Sequence, residues 1–306
     1  MTLTQTTPNA NIAIIQLRAA SPAAKLETIA RVRELVAQAV GQSHAAGAPV
    51  DLVILPELWN GLADPDESIT HDEVIPEVGA RVGDIPAKSV SVRALAEIAA
   101  QHNIWLVGGT IVETGTPKLY NTATVWSPAG ELVQKHRKAH LFDIALPAVT
   151  FKESAAFDPG QSLCTFQTPW GKFGLAICYE LRFAEVAIAL ARQDISAIIY
   201  PAAFTKPTGE LHWELLHRAR ALDNQVYVFA ACLGRVEPAK VVMYGHSLAA
   251  NPLGQIVATA AEGEEIVYAT LDHDVVKDTR AGIPLGTQRR FDLYADIGVG
   301  AVISAA

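Results

Sequence analysis

The chain has 306 residues, half of them hydrophobic and 18% charged, and its 32 acidic against 24 basic residues give a formal net charge of −8. That length supports one large domain or two small ones, and the acidic balance argues against a nucleic-acid or anionic-membrane partner. No apolar run reaches bilayer-spanning length, and three cysteines (Cys164, Cys178, Cys232) without CxxC spacing exclude a disulfide framework or zinc site and fit a reducing, cytoplasmic compartment.

In chain order, the polar, Thr-rich residues 1–10 read as a frayed tail without signal-peptide character. Residues 11–17 (NIAIIQL) read as a strand. Residues 22–47 carry Ile29, Val32, Val36 and Val40 at helical spacing, and Gly47 can end that helix. The short apolar run 51–55 stops at Pro56. A helix follows over 86–102, then a strand over 104–110. Strands 119–127 and 131–136 flank Pro128-Ala129-Gly130, a hairpin signal. Residues 137–160 read as one long loop, by length a functional or disordered segment. Strands are expected near 162–167, 172–178, 195–200 and 225–231, with helices at 183–193 and 209–223. Residues 241–250 and 255–260 flank the turn Asn251-Pro252-Leu253-Gly254. A last strand (265–271) and a short helix (273–281) follow. The mixture of βα units and hairpins, with no linker or charge block, predicts a single α/β domain of stacked layers over 11–306, built on mixed sheets.

Three polar residues stand at strand ends, where open α/β sheets place their sites. Glu57 follows Val53-Ile54-Leu55-Pro56, Lys138 follows the strand ending at His136, and Cys178 ends the run Gly174-Leu175-Ala176-Ile177. Each alone has an ordinary explanation: a solvated carboxylate, a surface base, a small buried hydrophobe. Cys178 also precedes a helical pattern, and a thiol at the start of a helix is expected to be accessible and to have a lowered pKa. Together the three have complementary chemistry. A carboxylate can take a thiol proton, an ammonium can hold the oxyanion of a tetrahedral intermediate, and the thiolate can form a thioester. That would be a metal-free, cofactor-free acyl-transfer site.

The motifs LPELW around Glu57, HRKAHLFD around Lys138 and GLAICYELRF around Cys178 occur in the order found in the nitrilase, or carbon–nitrogen hydrolase, superfamily. Further blocks are similar: LYNTATVWSPAGEL (119–132), HWELLHRARALDNQVYV (212–228), GHSLAANPLGQI (245–256) and QRRFDLYAD (288–296). The resemblance spans roughly residues 11–296. RKAHLFD, PAAFT and HWELL are closest to the omega-amidase branch, which hydrolyses small 2-oxo dicarboxylate monoamides. The resemblance implies a four-layer αββα sandwich and an assembly of like chains, a dimer or larger, through helices near 183–193 and 209–223. It implies a Glu57–Lys138–Cys178 triad, with the Tyr179 amide as second oxyanion donor. Glu153 would fix Lys138 and contact the substrate amide. Trp59, Tyr179, Arg182 and Phe204 are substrate-contact candidates, Arg182 as the cation for a substrate carboxylate; Lys206 and His212 are other cations nearby, and an ion pair with Glu180 or Glu185 is the structural alternative for Arg182. The substrate would be a small carboxylated amide, with a larger amide such as deaminated glutathione or an N-carbamoyl amine, or an inactive scaffold protein, as alternatives.

Two features depart from that branch. Leu58-Trp59 stands where a small or thiol residue followed by Phe is expected, so Trp59 is expected to narrow the acyl pocket. The acidic stretch from Ala63 to Gly83 (Asp64, Asp66, Glu67, Asp72, Glu73) is expected near the pocket mouth. Competing signals fail on context. Gly245-His246-Ser247-Leu248-Ala249 nearly matches a nucleophile elbow, but a turn and strand follow instead of a helix. His136 and His140 lack H-E-x-x-H or a cysteine pair for a metal, and they and Asp272-His273-Asp274 read as capping or loop hydrogen bonds.

Overall fold

The first strand of the computed structural model, which describes residues 7–18, 24–61, 73–146, 149–239 and 241–306, already separates two cores. Strand β1 (Ala10–Gln16) is buried on both faces. Because side chains alternate along a strand, Ile12 and Ile14 enter one core, whereas Ala13 and Ile15 enter another. The second core is filled by α1 (Lys25–Ala45) and α2 (Val90–His102), through residues such as Val32, Val36, Leu95 and Ile98. Strands β2 (Leu52–Ile54), β3 (Trp105–Glu113), β4 (Tyr120–Trp126) and β5 (Leu132–Arg137) extend this sheet. With β14 (Glu265–Leu271) its order is β14-β1-β2-β3-β4-β5. The β1-β2-β3 pairings are parallel and the others antiparallel.

The second sheet contains β8 (Leu163–Thr168), β9 (Gly171–Leu175), β10 (Ala197–Ala202), β11 (Tyr227–Cys232), β12 (Leu248–Ala250), β13 (Ile256–Thr259) and β15 (Ile303–Ala305), in the order β13-β12-β11-β10-β9-β8-β15. Its central strands β9-β10-β11 are parallel. Ile12, Ile14, Leu52 and Val125 of the first sheet share a core with Phe166, Phe173 and Leu175 of the second. The same core continues into α3 (Ala184–Ala191) and α4 (Lys206–Asn224) through Leu190, Trp213 and Ala221. The layers are therefore helix, sheet, sheet, helix: the αββα sandwich with mixed sheets.

Several expectations need correction. The segment 137–160 is not one loop. It contains an antiparallel hairpin of β6 (Asp143–Leu146) and β7 (Val149–Lys152) and a 3-10 turn over Glu153–Ala155. Only Leu248–Ala250 of the run 241–250 is strand. Helix α4 starts at Lys206, three residues early, because Pro207 fits a first turn whose amides need no intrahelical acceptor. Beyond α5 (His273–Gly282), the short helix α6 (Leu285–Gln288) and strand β15 were not anticipated, and β15 pairs in parallel with β8. Of the expected tail, residues 1–6 lie outside the described residues, and β1 begins at Ala10.

The acidic stretch is also placed differently. Asp64, Asp66, Glu67 and Asp72 lie outside the described residues. Glu73 is buried, and its carboxylate accepts the Ser91 amide at 3.0 Å in the first turn of α2. It caps a helix whose exposed amides attract negative charge. Further on, the Gly79 amide donates to the Leu132 carbonyl at 2.8 Å and the Leu132 amide to that of Ala80 at 2.8 Å, so this stretch lies along β5. Among the described residues no helix is long and apolar enough to cross a membrane.

Candidate active site

Glu57 follows β2 across Leu55-Pro56. Its amide donates to the Ala202 carbonyl of β10 at 3.3 Å, so the two sheets meet at this residue. The next residue, Leu58, has φ 48° and donates its amide to Thr110 Oγ1 at 2.9 Å. This turn sends Trp59 to the opposite side, where it is fully buried in the helix-facing core with Nε1 donating to the Gly108 carbonyl at 2.7 Å. Among the described residues Trp59 thus belongs to the helix-side core rather than to the core that holds Cys178, which corrects the expectation that it contacts substrate. Its neighbour across the turn must be glycine: a Cβ on Gly109 (φ +61°) would stand 2.0 Å from the Pro56 carbonyl oxygen.

Lys138 leaves β5 with its amide on the Asn121 carbonyl at 2.8 Å. Its ammonium lies 2.8 Å from Glu57 Oε1 and 3.0 Å from Glu153 Oε2. Glu153, in the 3-10 turn after β7, is fixed by the Phe142 amide at 2.6 Å. Lys138, Glu57 and Glu153 are all buried. Burial opposes charge on Lys138, but Glu57 and Glu153 outweigh it and hold the ammonium above the ordinary lysine value. The two glutamate side chains and the lysine form one compact buried cluster.

Cys178 sits where the extended chain of β9 ends. The Ala176 amide still pairs with the Ile199 carbonyl at 3.0 Å, and a 3-10 turn over Cys178–Arg182 begins at the next residue but one. Cys178 has φ 44°, a left-handed conformation that costs a non-glycine residue about 1–3 kcal/mol. The residue is only 9% exposed, and its thiol interacts with Glu57, Lys138 and the Ala203 backbone. Burial, with the Glu57 charge, pushes its pKa well above the ordinary thiol value despite Lys138. This corrects the expected lowering. The helical element is a five-residue turn with little macrodipole, and desolvation decides. A thiol pushed up in this way depends on its neighbouring carboxylate to lose its proton.

Glu180, two residues on, ties the nucleophile's turn to the lysine's strand. Its Oε2 accepts the Ile177 amide at 2.6 Å and contacts His136 Nε2 at 2.9 Å, and its Oε1 accepts the Ala139 amide at 2.8 Å. Burial works against charge on both members, yet each charge sustains the other. His136 is held well above the ordinary histidine value and Glu180 well below the ordinary carboxylate value. His136 is thus part of an ion pair. Ser247 of the near-elbow is buried and bonded to the Cys232 backbone, and Asp272 caps α5 by accepting the Asp274 amide at 2.9 Å.

The other contact candidates cluster beside Cys178. Arg182 is half-buried, with its guanidinium 5.8 Å from the Tyr179 ring centroid and 5.3 Å from that of Phe204. Its Nη1 reaches His212 Nδ1 at 3.2 Å, on α4. Among the described residues it has no carboxylate partner, which removes the ion pair with Glu180 or Glu185 as its explanation. Tyr179 packs edge-on against Phe142 and Phe183 at 5.1 and 5.4 Å between centroids. The sequence reading missed Asn121 of β4. Its Nδ2 donates to Glu57 Oε1 at 2.9 Å and to Glu153 Oε1 at 3.0 Å. An asparagine inside the β-forming run LYNTATVW is the signal that could have found it, because strands are depleted in Asn.

Comparison with known proteins shows the family of the chain. Residues 11–281 match the model of the carbon-nitrogen hydrolase family. The chain is 42% identical over 289 residues to the omega-amidase NIT3 of Saccharomyces cerevisiae, covering 94% of this chain and 95% of that protein. It is 41% identical to the human omega-amidase NIT2, covering 93% and 96% respectively. The crystal structure of S. cerevisiae Nit3, described as a member of branch 10 of the nitrilase superfamily, superposes with a TM-score of 0.82 at 40% identity, covering 92% of this chain and 97% of that one.

Proposed function

The chain belongs to the carbon–nitrogen hydrolase family, an amidase-type enzyme acting on C–N bonds, and we propose that it hydrolyses a small carboxylated amide to acid and ammonia through a thioester on Cys178. The observation that carries the reading is the buried Glu57–Lys138–Glu153 cluster beside the buried Cys178 thiol. As the Sγ–C bond forms, the thiol proton passes to Glu57, and the carbonyl oxygen gains charge near the Lys138 ammonium and the Tyr179 amide. Collapse breaks the C–N bond, Glu57 returns the proton to nitrogen, and ammonia leaves. Water then adds to the thioester, giving its proton to Glu57. The C–S bond breaks, the sulfur regains its proton and the acid departs. Glu153 holds Lys138 and accepts from the substrate amide.

Arg182 supports the carboxylated substrate. A half-buried guanidinium framed by Tyr179 and Phe204, with no carboxylate partner among the described residues, offers a bidentate fork to one on the substrate. The resemblance to omega-amidases favours 2-oxoglutaramate or 2-oxosuccinamate. Ammonia release from these, from deaminated glutathione, from simple aliphatic amides and from nitriles tests the reading. Turnover of nitriles but not amides would overturn it, preference for deaminated glutathione would favour a larger amide, and no ammonia from any of them would favour a scaffold. Arg182→Met is expected to lower kcat/KM for 2-oxoglutaramate roughly 10- to 100-fold, mainly through KM, the worth of a hydrogen bond to a charged group. Propionamide turnover should barely change; an equal loss on both substrates argues against carboxylate binding by Arg182.

The same reading includes one catalytic domain over 11–306 in the cytoplasm, where free thiols at Cys164, Cys178 and Cys232 persist, and an assembly of like chains. Leu211, Leu215 and Leu222 are exposed on one face of α4, which suits a partner copy. Light scattering should find a dimer or larger species that Leu215→Glu converts to monomer. A monomeric wild type would refute the pairing.

A further inference from the structure

We propose that Asn121 is a positioning residue that differentiates the two buried carboxylates, making Glu57 and not Glu153 the base. The inference rests on the thioester reading above. Lys138 lies between Glu57 and Glu153 at similar distances, 2.8 and 3.0 Å, so the ammonium alone does not distinguish them. The distribution of donors does. Glu153 is occupied on both oxygens: Oε1 accepts from Asn121 at 3.0 Å, and Oε2 accepts from the Phe142 amide at 2.6 Å and lies 3.0 Å from Lys138 Nζ. At Glu57 both donors, Asn121 Nδ2 and Lys138 Nζ, fall on Oε1 at 2.9 and 2.8 Å. Among the described residues no N–H donor falls on Glu57 Oε2, and the Glu57 carboxyl group interacts with the Cys178 thiol.

A second observation points the same way. Asn121 Oδ1 is buried and has no hydrogen-bond partner among the described residues. A buried amide with one end unsatisfied is unfavourable, and the opposite orientation would set its oxygen against two carboxylates. The side chain is held for what its Nδ2 does: one amide hydrogen to each carboxylate, closing a ring through Lys138. Its backbone carbonyl takes the Lys138 amide as well, so one residue of β4 registers all three charged groups. Without that amide, two carboxylates share one ammonium in a buried site, and such a pair retains a proton to higher pH. A base that is already protonated does not accept from Cys178.

Asn121→Leu and Asn121→Asp test this in the full chain. The readouts are kcat and KM for the best amide, thermal melting, and the pH dependence of Cys178 alkylation by iodoacetamide. The expected result for both is a kcat loss of roughly 30-fold or more with little change in KM. The acid limb of turnover and of alkylation should move up by about one pH unit. A lower melting temperature with an unmoved acid limb is a packing role and overturns the proposal. If the leucine variant does not fold, the isosteric aspartate decides. Glu57→Gln separates this inference from the reading beneath it. If that variant keeps wild-type turnover, the assignment of Glu57 as base fails. If it is inactive while the acid limb of the Asn121 variants stays in place, only the role of Asn121 fails.

Discussion

Lys138→Met is expected to abolish turnover and to destabilise the protein by about 3–5 kcal/mol at neutral pH, because it removes one partner of a buried ion cluster and leaves its charges uncompensated. Two carboxylates, Glu57 and Glu153, lie within 3.0 Å of the ammonium that the substitution deletes. The pH dependence identifies the cause. In the wild type, the two carboxylates raise the Lys138 pKa against the effect of burial. A cation with a raised folded pKa contributes stability in full below the ordinary lysine value, losing it only as pH rises through the folded one, so this contribution is complete across the neutral range. In the variant the uncompensated carboxylates bind a proton more readily when folded than unfolded. Its penalty should therefore shrink as pH falls from neutral toward the ordinary carboxylate range. Melting temperatures of both proteins across that range check this; a penalty independent of pH would mean that Lys138 contributes packing alone.

Cys178→Ala should remove ammonia release by on the order of 10⁴-fold or more, since the thioester can no longer form, while changing stability near neutral pH by only about 1 kcal/mol. Burial and the Glu57 charge raise the Cys178 pKa in the folded state. The wild type therefore holds a stability contribution that is full below the ordinary thiol value and is lost as pH climbs through the raised folded value. Denaturation curves should show the wild type losing stability in alkaline buffer relative to Cys178→Ala. A parallel decline of the two proteins would mean that the thiol is not desolvated. Residual turnover near the wild-type rate would remove Cys178 from the chemistry altogether.

Glu57, Lys138 and Cys178, which the structure brings together, stand in the sequence as polar residues where apolar strands end, each in a motif short enough to read in one stretch, whereas Glu153 comes only from the family resemblance. The alternation in NIAIIQL and the βα spacing likewise carried the layers. Trp59 was misplaced because it adjoins Glu57 in sequence, whereas the positive φ of Leu58 turns the two side chains to opposite faces. Glu73 looked like a charge at a pocket mouth and is a buried helix cap. The environment of Cys178 was misjudged for a related reason. A strand end before a helical pattern suggests exposure and a helpful dipole, but burial depends on neighbours distant in sequence, here Glu57, Lys138 and Ala203.

The sequence alone determined which side chains are available for acyl transfer and on which strand ends they stand, because side-chain period and turn chemistry act over a few residues. Only the tertiary structure decided how those side chains are used. Glu57 and Lys138 are 81 residues apart, Asn121 and Glu57 are 64 apart, and their meeting within 2.9 Å requires β2, β4 and β5 to lie in one sheet. The meeting of Glu57, Glu153, Lys138 and Asn121, the burial of Cys178 and the aromatic frame of Arg182 depend on distance and on exclusion of water. These are properties of the packed layers.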